Sequence, residues 1–156
     1  NIGQRLKAVQ RYLGDDPIFL ANYSDGLSDL PLTDYLEHFR QQDKIASFLC
    51  VRPNQSFHAV SLGENSLVRD IRHVGGSNIW INGGLFAFKR EVFDHLKDGE
   101  ELVEEPFQRL IRQEQLIAYR HHGFWACMDT LKDKQAFDDM NARGETPWAL
   151  WKRGGE

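Results

Sequence analysis

Residues 124–134 (Phe-Trp-Ala-Cys-Met-Asp-Thr-Leu-Lys-Asp-Lys) constrain the fold most, because an apolar run ends there at an acid and a helical pattern follows directly. The run of apolar residues predicts a strand, and Asp129 comes immediately after it. In open α/β sheets, ligands bind at the carboxyl ends of strands. The segment therefore predicts a strand that carries one carboxylate to a binding site before the chain enters a helix.

A second segment, residues 17–25, has the same form, since the apolar run Pro-Ile-Phe-Leu-Ala-Asn-Tyr predicts a buried strand that ends at Ser24, Asp25 and Gly26. Two carboxylates at two strand ends are suited to Mg²⁺, which prefers oxygen ligands and often keeps substrate phosphates in its shell. Each acid also has a simpler interpretation. Ser-Asp-Gly is typical of an Asx-type turn, which spacing alone favours for Asp25, and Asp129 could be an acid at a helix N-terminus.

The order of the apolar patterns predicts an α/β sandwich with a mixed sheet, formed by residues 1–156 as a single domain. Helical and strand patterns alternate as far as Val51, and clustered strands follow. Helices are expected around residues 2–13, 32–39, 92–96, 106–111 and 131–143. Strands are expected at residues 17–23, 45–51, 58–62, 67–73, 79–88, 116–119 and 124–128, with a turn at residues 75–78.

The composition excludes several classes of function. The formal net charge of -4 and the pI near 5.9 argue against general nucleic-acid binding, because no basic excess exists to neutralise phosphates. No apolar run is long enough to predict a membrane span. Cys50 and Cys127 lie in apolar runs without a CxxC spacing, which favours buried, reduced thiols in a cytoplasmic protein and leaves one disulfide as the alternative.

Three further polar groups are weaker candidates. The glycines of Asn82-Gly83-Gly84, inside a predicted strand, mark either a β-bulge or a place where a substrate approaches the backbone. Arg69, Arg72 and His73 could bind a phosphate, although a solvated strand face is favoured. The adjacent pair at residues 121–122, both histidines, does not indicate a joint metal site, because neighbouring residues on a strand point to opposite faces.

Several motifs occur in the order found in one enzyme family. The chain resembles the carboxyl-terminal two-thirds of the sugar-1-phosphate nucleotidyltransferases, with the glucose-1-phosphate cytidylyltransferases as the most similar members. The longest matching stretch runs from Tyr-Arg-His-His-Gly-Phe-Trp to Met-Asp-Thr-Leu-Lys-Asp-Lys. The matching segments are residues 5–13, 23–29, 80–86, 105–110 and 119–134.

The resemblance implies a Rossmann-like α/β/α sandwich and transfer of a nucleotidyl group from a nucleoside triphosphate to a sugar 1-phosphate, with release of pyrophosphate. It implies that Asp25 and Asp129 are catalytic and hold Mg²⁺, and it favours CTP as the nucleotide. The same resemblance gives the sugar side of the site to the Asn-Gly-Gly segment. The substrate-binding residues expected from it are Asn82, Gly83, Gly84, Arg72 and Glu105.

The sequence also departs from the family pattern. Its 156 residues contain neither the amino-terminal strand nor the Gly-x-Gly-x-Arg-Leu loop that grips the triphosphate in the family. The family's Glu-Lys-Pro segment is lost near residues 71–74, where Arg72 could replace the lysine as a cation, and Ser24 stands where a glycine is expected. The first residue, Asn1, suggests a fragment, a processed product or a trimmed chain. The alternative to an incomplete enzyme is a non-catalytic module that binds a sugar phosphate or forms a homo-oligomer.

Overall fold

The computed structural model describes residues 1–54, 57–76 and 78–152. The α-helices are α1 (Ile2–Val9), α2 (Leu32–Gln42), α3 (Glu105–Arg112) and α4 (Leu131–Ala142). The strands are β1 (Ile18–Asn22), β2 (Gly26–Ser28), β3 (Ala46–Val51), β4 (His58–Leu62), β5 (Val68–His73), β6 (Ile81–Lys89), β7 (Leu116–Arg120) and β8 (Trp125–Cys127). Short 3₁₀ turns lie at Gln10–Tyr12, Glu64–Ser66, Val74–Gly76, Arg90–His95 and Leu150–Lys152.

The largest sheet is mixed, as the sequence predicts, with four strands in the order β1-β6-β3-β7. Strand β1 pairs antiparallel with β6 from Ile18↔Lys89 to Asn22↔Leu85. Strands β3 and β7 run parallel, because the Ala46 N–H donates to the Gln115 carbonyl at one end and the His121 N–H donates to the Cys50 carbonyl at the other. Two further two-stranded sheets pair β2 with β8 and β4 with β5. The predicted α/β class with a mixed sheet is therefore confirmed.

The chain groups into two compact units that do not follow its linear order. The first contains Asn1–Ser24, Pro31–Leu49 and Gly84–Tyr119, and the second contains Asp25–Leu30, Cys50–Gly83 and Arg120–Glu156. Each unit draws on three separate segments of the sequence. The expectation of one domain over residues 1–156 stays a prediction.

The first unit has a phenylalanine-rich core. Phe86 and Phe88 of β6 stack with ring centroids 5.6 Å apart, and Phe19 of β1 lies 5.5 Å from Phe88. Tyr35 and Phe39 lie about one helical turn apart on α2, and both side chains are completely buried. Burial raises the pKa of the Tyr35 phenol to about 12. These side chains account for the helical and strand periodicities visible in the sequence.

Several elements differ from their sequence-based expectation. Strand β1 lies at an edge of the four-stranded sheet with Leu20 39% exposed, so the prediction of a buried strand is wrong there. The strand expected at residues 79–88 begins at Ile81 and is not interrupted by its glycines, and the helix expected around Val92 is a 3₁₀ turn. Strand β2 was not expected, because three residues after a turn carry no periodicity. Ser77, in the predicted turn at residues 75–78, lies outside the described residues.

The carboxyl-terminal tryptophans differ from each other. Trp148 packs against Phe124 and Phe137 with centroid distances of 5.6 Å and 5.5 Å. Trp151 is 75% exposed. Among the described residues, no helix has the length and apolar character needed to cross a membrane.

Gly84 is required by the packing of the first unit. It has a φ of +72°, and a β-carbon at this position would lie 2.5 Å from Cδ2 of Tyr23. The backbone of Tyr23 also approaches closely, since its N–H donates to the Gly84 carbonyl over 2.7 Å. Within the first unit, Gly84 therefore allows Tyr23 to approach the backbone.

We expect Gly84→Ala to lower the free energy of unfolding by about 2 kcal/mol more than Gly144→Ala does, because overpacking adds to the strain of a positive φ. Gly144 is the matched control, since it has the same φ of +72° and open space where its β-carbon would lie. Urea unfolding of both variants measures the difference. Equal losses of unfolding free energy in the two variants would show that Tyr23 moves aside freely.

Candidate active site

The second unit brings the two predicted catalytic acids to one end of a short antiparallel ribbon, β2–β8. Gly26 of β2 pairs with Cys127 of β8, and the Met128 N–H donates to the Asp25 carbonyl over 2.9 Å. Asp25 directly precedes β2, and Asp129 follows the end of β8. Both acids therefore lie at the same end of the ribbon. Both residues are exposed. Sequence reasoning could place each acid after a strand but could not show that they meet.

Cys127 reports the electrostatics of this ribbon end. Its Sγ donates to Oδ2 of Asp129 over 3.2 Å. The pKa of the thiol is raised to about 11, first by burial, then by its hydrogen bond to Asp129 and by the negative charges of Asp129, Asp25 and Asp133. Three carboxylates therefore act on one point, and the same field that disfavours a thiolate favours a bound cation.

The helix after Asp129 is capped by other residues. Thr130 is the N-cap of α4, and its side chain accepts from the Asp133 N–H while the Asp133 carboxylate accepts from the Thr130 N–H. This capping box lowers the pKa of Asp133, chiefly through its hydrogen bonds with Thr130. The capping positions are thus filled by Thr130 and Asp133, and the Asp129 side chain instead contacts the Cys127 thiol.

Asp25 lies in a turn between β1 and β2, as its simpler interpretation requires. In the described ranges, however, no side-chain hydrogen bond engages its carboxylate as an Asx-turn would, and its charge acts on Cys127. The turn and the functional interpretation are therefore compatible. The turn sets the backbone, and the carboxylate is left exposed at the ribbon end.

The predicted sugar-side segment touches the same ribbon through Gly83. Nε1 of Trp125, on β8, donates to the Gly83 carbonyl over 2.8 Å. A β-carbon added to Gly26 would lie 3.9 Å from that carbonyl oxygen and 3.8 Å from Trp125 Nε1. Asn82 is the preceding residue on β6 and is half-buried. Gly83 is thus brought to the β2–β8 ribbon, whereas Gly84 lies in the first unit against Tyr23.

Two of the predicted substrate-binding residues lie on other elements. Arg72 lies on β5 of the β4–β5 hairpin, where it forms an ion pair with Asp70 and its side chain is 75% exposed. Glu105 is the first residue of α3 in the first unit, where it is exposed. The substrate-binding roles of both residues stay predictions.

One buried clamp was not found by sequence reasoning. Oδ1 of Asp29 accepts from the Phe124 N–H over 2.7 Å and lies 2.8 Å from Nε2 of His121, a side chain that is only 8% exposed. A β-carbon on Gly123 would lie 2.7 Å from Cε1 of His121, so this position has no room for a side chain. The clamp fixes the loop that leads into β8. Its only sequence signal is a glycine between a histidine pair and an aromatic residue.

The two side chains of the histidine pair at residues 121–122 contact different partners. His121 turns to Asp29, and His122 meets the Trp80 ring edge-on at a centroid distance of 5.3 Å. Within the described ranges, no group of three or more His, Cys, Asp and Glu side chains is arranged to hold a metal ion. The oxygen donors at the ribbon end are therefore two candidate carboxylates, Asp25 and Asp129.

We expect Asp129→Asn to accelerate alkylation of Cys127 by iodoacetamide about threefold or more at pH 8, because the thiolate is the nucleophile and its formation is disfavoured by this carboxylate. The effect is partial because burial is the largest cause of the raised pKa. Mass spectrometry of the alkylated peptides measures the rate. Cys50 is the internal control, and Asp138→Asn, which removes a carboxylate paired with Lys134, is the control variant. An unchanged alkylation rate of Cys127 would show that the Asp129 carboxylate does not influence this thiol.

Comparison with known proteins identifies relatives of one kind. Glucose-1-phosphate cytidylyltransferase of Salmonella typhimurium is 32% identical over 151 residues, which cover 96% of this chain and 59% of the relative. A solved structure from Bacillus anthracis, provisionally named glucose-1-phosphate thymidylyltransferase and complexed with sucrose, superposes with a TM-score of 0.63 at 17% identity over 93% of this chain and 61% of the other. HddC from Yersinia pseudotuberculosis superposes with a TM-score of 0.59 at 13% identity, over 86% of this chain and 59% of HddC.

No family model matches the sequence. The chain spans about three-fifths of the length of the curated cytidylyltransferases that it matches, and the matching region is their carboxyl-terminal part. The solved structures, at their low identity, establish the Rossmann-like fold alone. By sequence, nearly the whole chain is similar to the carboxyl-terminal part of the glucose-1-phosphate cytidylyltransferases, which are sugar-1-phosphate nucleotidyltransferases.

Proposed function

We propose that this chain supplies the metal-binding and sugar-side residues of a sugar-1-phosphate nucleotidyltransferase. In this reaction an oxygen of the sugar phosphate attacks the α-phosphorus of a nucleoside triphosphate, the bond to the β-phosphate breaks, and pyrophosphate leaves. The observation that carries the proposal is the convergence of Asp25 and Asp129 at the end of the β2–β8 ribbon. The relatives named cytidylyltransferases support CTP as the nucleotide.

The donor set suits Mg²⁺ better than a softer metal. Two carboxylates are hard oxygen ligands, and Mg²⁺ usually takes one or two carboxylates together with waters and substrate phosphates. The Cys127 thiol, which donates to Asp129, is held protonated by burial and by the same acids, so it is a poor metal ligand. A bound Mg²⁺ would supply neutralisation of phosphate charge and alignment of the attacking oxygen.

The protein's own residues then position the reactants. Asp25 and Asp129 would hold the metal, and the Met128–Asp25 backbone hydrogen bond ties the two chain segments that carry them. Asn82 and Gly83 line the sugar side, with the Gly83 carbonyl oriented by its hydrogen bond from Trp125. These 156 residues contain no Gly-x-Gly-x-Arg-Leu segment, so none of them is assigned to a triphosphate-binding loop.

We expect Asp25→Asn and Asp129→Asn each to weaken Mn²⁺ binding, measured by electron paramagnetic resonance as a Mg²⁺ substitute, by more than about tenfold. Each change removes one of two charged oxygen ligands while preserving side-chain size. Asp138→Asn, an exposed acid on α4 paired with Lys134, should bind Mn²⁺ like the parent chain. Parental affinity in both site variants would refute the metal assignment.

Pyrophosphate release from CTP and glucose 1-phosphate in the presence of Mg²⁺ tests the reaction itself. Turnover that both site variants lose would support the nucleotidyltransferase. Intact Mn²⁺ binding without turnover by the 156-residue chain would favour the non-catalytic alternative for these residues.

A second candidate function, self-association, is favoured by the β4–β5 hairpin. Val60 and Ile71 are cross-strand partners, and so are Leu62 and Val68, so four aliphatic side chains share one face. Their exposed fractions are 50%, 58%, 66% and 51% respectively. Contiguous apolar side chains on an exposed ribbon are typical of an interaction surface. In a homo-oligomer, this face would contact a second copy of the chain.

We expect the chain to form a dimer or larger oligomer in light scattering, and the double variant Val60→Lys with Ile71→Glu to shift it to the monomer. The opposite charges keep a favourable cross-strand pair, so the hairpin itself is preserved. Ile111→Lys is the matched control, because Ile111 on α3 is also 50% exposed. A monomeric parent chain at about 100 μM, well above the Kd range of stable dimers, would contradict self-association.

A further inference from the structure

The first unit contains a basic pocket at the carboxyl-terminal end of α1. Its lining residues are Lys7, Ala8, Gln10, Arg11 and Arg90. Three of these five carry a positive charge and none is acidic, although the whole chain has a formal net charge of -4. The pocket has a volume of about 580 Å³, which lies within the range of ligand pockets. Positive charge is therefore concentrated around a space large enough for a small anion.

The three cations of this basic pocket come from two separate parts of the chain. Lys7 lies in the last turn of α1, and Arg11 lies in the 3₁₀ turn that follows it. Cations near the carboxyl end of a helix are favourable in themselves, so these two need no ligand to explain them. Arg90, however, follows the last residue of β6 and is brought to the same pocket by the fold. A third positive charge beside the first two is unfavourable unless an anion offsets the repulsion.

Arg90 is held in place by neutral groups. Its Nη1 donates to the Gly14 carbonyl over 2.5 Å, and its backbone N–H donates to the Pro17 carbonyl over 3.2 Å. These contacts orient the residue at the start of β1 without neutralising its charge. A guanidinium has five N–H donors, so one hydrogen bond to a carbonyl leaves donors for a ligand.

Arg11 and Lys7 are engaged in different ways. The Arg11 guanidinium carbon lies over the Tyr12 ring, 4.7 Å from its centroid, a contact that uses the face of the guanidinium and leaves its N–H groups in the plane. Within residues 1–54, 57–76 and 78–152, no carboxylate forms an ion pair with Arg11 or Arg90. Lys7 pairs with Asp98 over 2.7 Å, but the Asp98 side chain is 87% exposed, and such an exposed pair contributes little. The carboxylate of Asp98 is therefore a weak competitor for an anion in this pocket.

We propose that the basic pocket binds a phosphate-bearing anion with at least two negative charges, as a site separate from the proposed metal site. Guanidinium groups match pairs of phosphate oxygens bidentately, and two of them balance a dianion. All the lining residues belong to the first unit, whereas Asp25 and Asp129 belong to the second. The proposal depends neither on Mg²⁺ nor on nucleotidyl transfer. Free pyrophosphate and the phosphate chain of a nucleotide present the same oxygens, and titration with each of them distinguishes the two sources.

Isothermal titration in metal-free buffer at low ionic strength tests the basic pocket. The 156-residue chain is titrated with inorganic phosphate, pyrophosphate and CTP. We expect pyrophosphate to bind more tightly than inorganic phosphate, because it carries more negative charge. We expect Arg11→Gln and Arg90→Gln each to weaken pyrophosphate binding roughly tenfold, the loss typical of one charge-assisted contact.

Two further variants separate the pocket from the total charge of the chain. Asp98→Asn removes the carboxylate that competes for Lys7, so it should strengthen pyrophosphate binding about threefold. Arg40→Gln is the matched control and should leave binding unchanged. Arg40 is an exposed arginine in the last turn of α2, in the same unit, and its loss changes the net charge by the same amount.

Arg11→Lys and Arg90→Lys keep the charge without the fork, so they should bind pyrophosphate with intermediate affinity and decide the question if a glutamine variant does not fold. CTP binding that weakens in the same arginine variants would support the proposal with a nucleotide as the source, and pyrophosphate binding without CTP binding would support it with the free anion. Parental pyrophosphate affinity in the arginine variants, equal weakening by Arg40→Gln, or no binding by the parent chain would overturn it.

Discussion

The candidate site depends on one buried interaction, in which Oδ1 of Asp29 contacts two groups. This oxygen binds the Phe124 N–H and lies against the His121 ring, and the Asp29 N–H in turn donates to the Phe124 carbonyl over 3.1 Å. Strand β2 ends just before Asp29, and β8 begins just after Phe124. A two-stranded ribbon of three residues a side is too short to be stable alone. The clamp therefore sets the register that brings Asp25 and Asp129 to the other end.

Charge at the ribbon end has two consequences that follow from the same geometry. Burial and the acids near Cys127 keep its thiol protonated, and the acids would repel a phosphate that approached them without a cation. A site for phosphate chemistry therefore needs positive charge from elsewhere. Mg²⁺ held by the two carboxylates would be such a source.

Much of the fold could be predicted from apolar periodicity, because β3, α2 and the β4–β5 hairpin are long enough to show it. Strand β2 could not, since it has three residues and follows a turn. The convergence of Asp25 with Asp129 was also beyond sequence reasoning, because the two acids are 104 positions apart and their proximity depends on the ribbon register. Gly84 could be predicted only as a bulge or a ligand contact. The deciding fact, the Tyr23 ring beside it, is a tertiary contact.

The expectation for Arg72 shows a different limit of sequence reasoning. Arg72 falls where the family has its Glu-Lys-Pro segment, so the resemblance gives it the role of the lysine as a cation. The structure adds an ion pair with Asp70 on the same strand, which leaves that guanidinium with a carboxylate already beside it. Replacing a bound carboxylate by phosphate exchanges one anion for another and gains little.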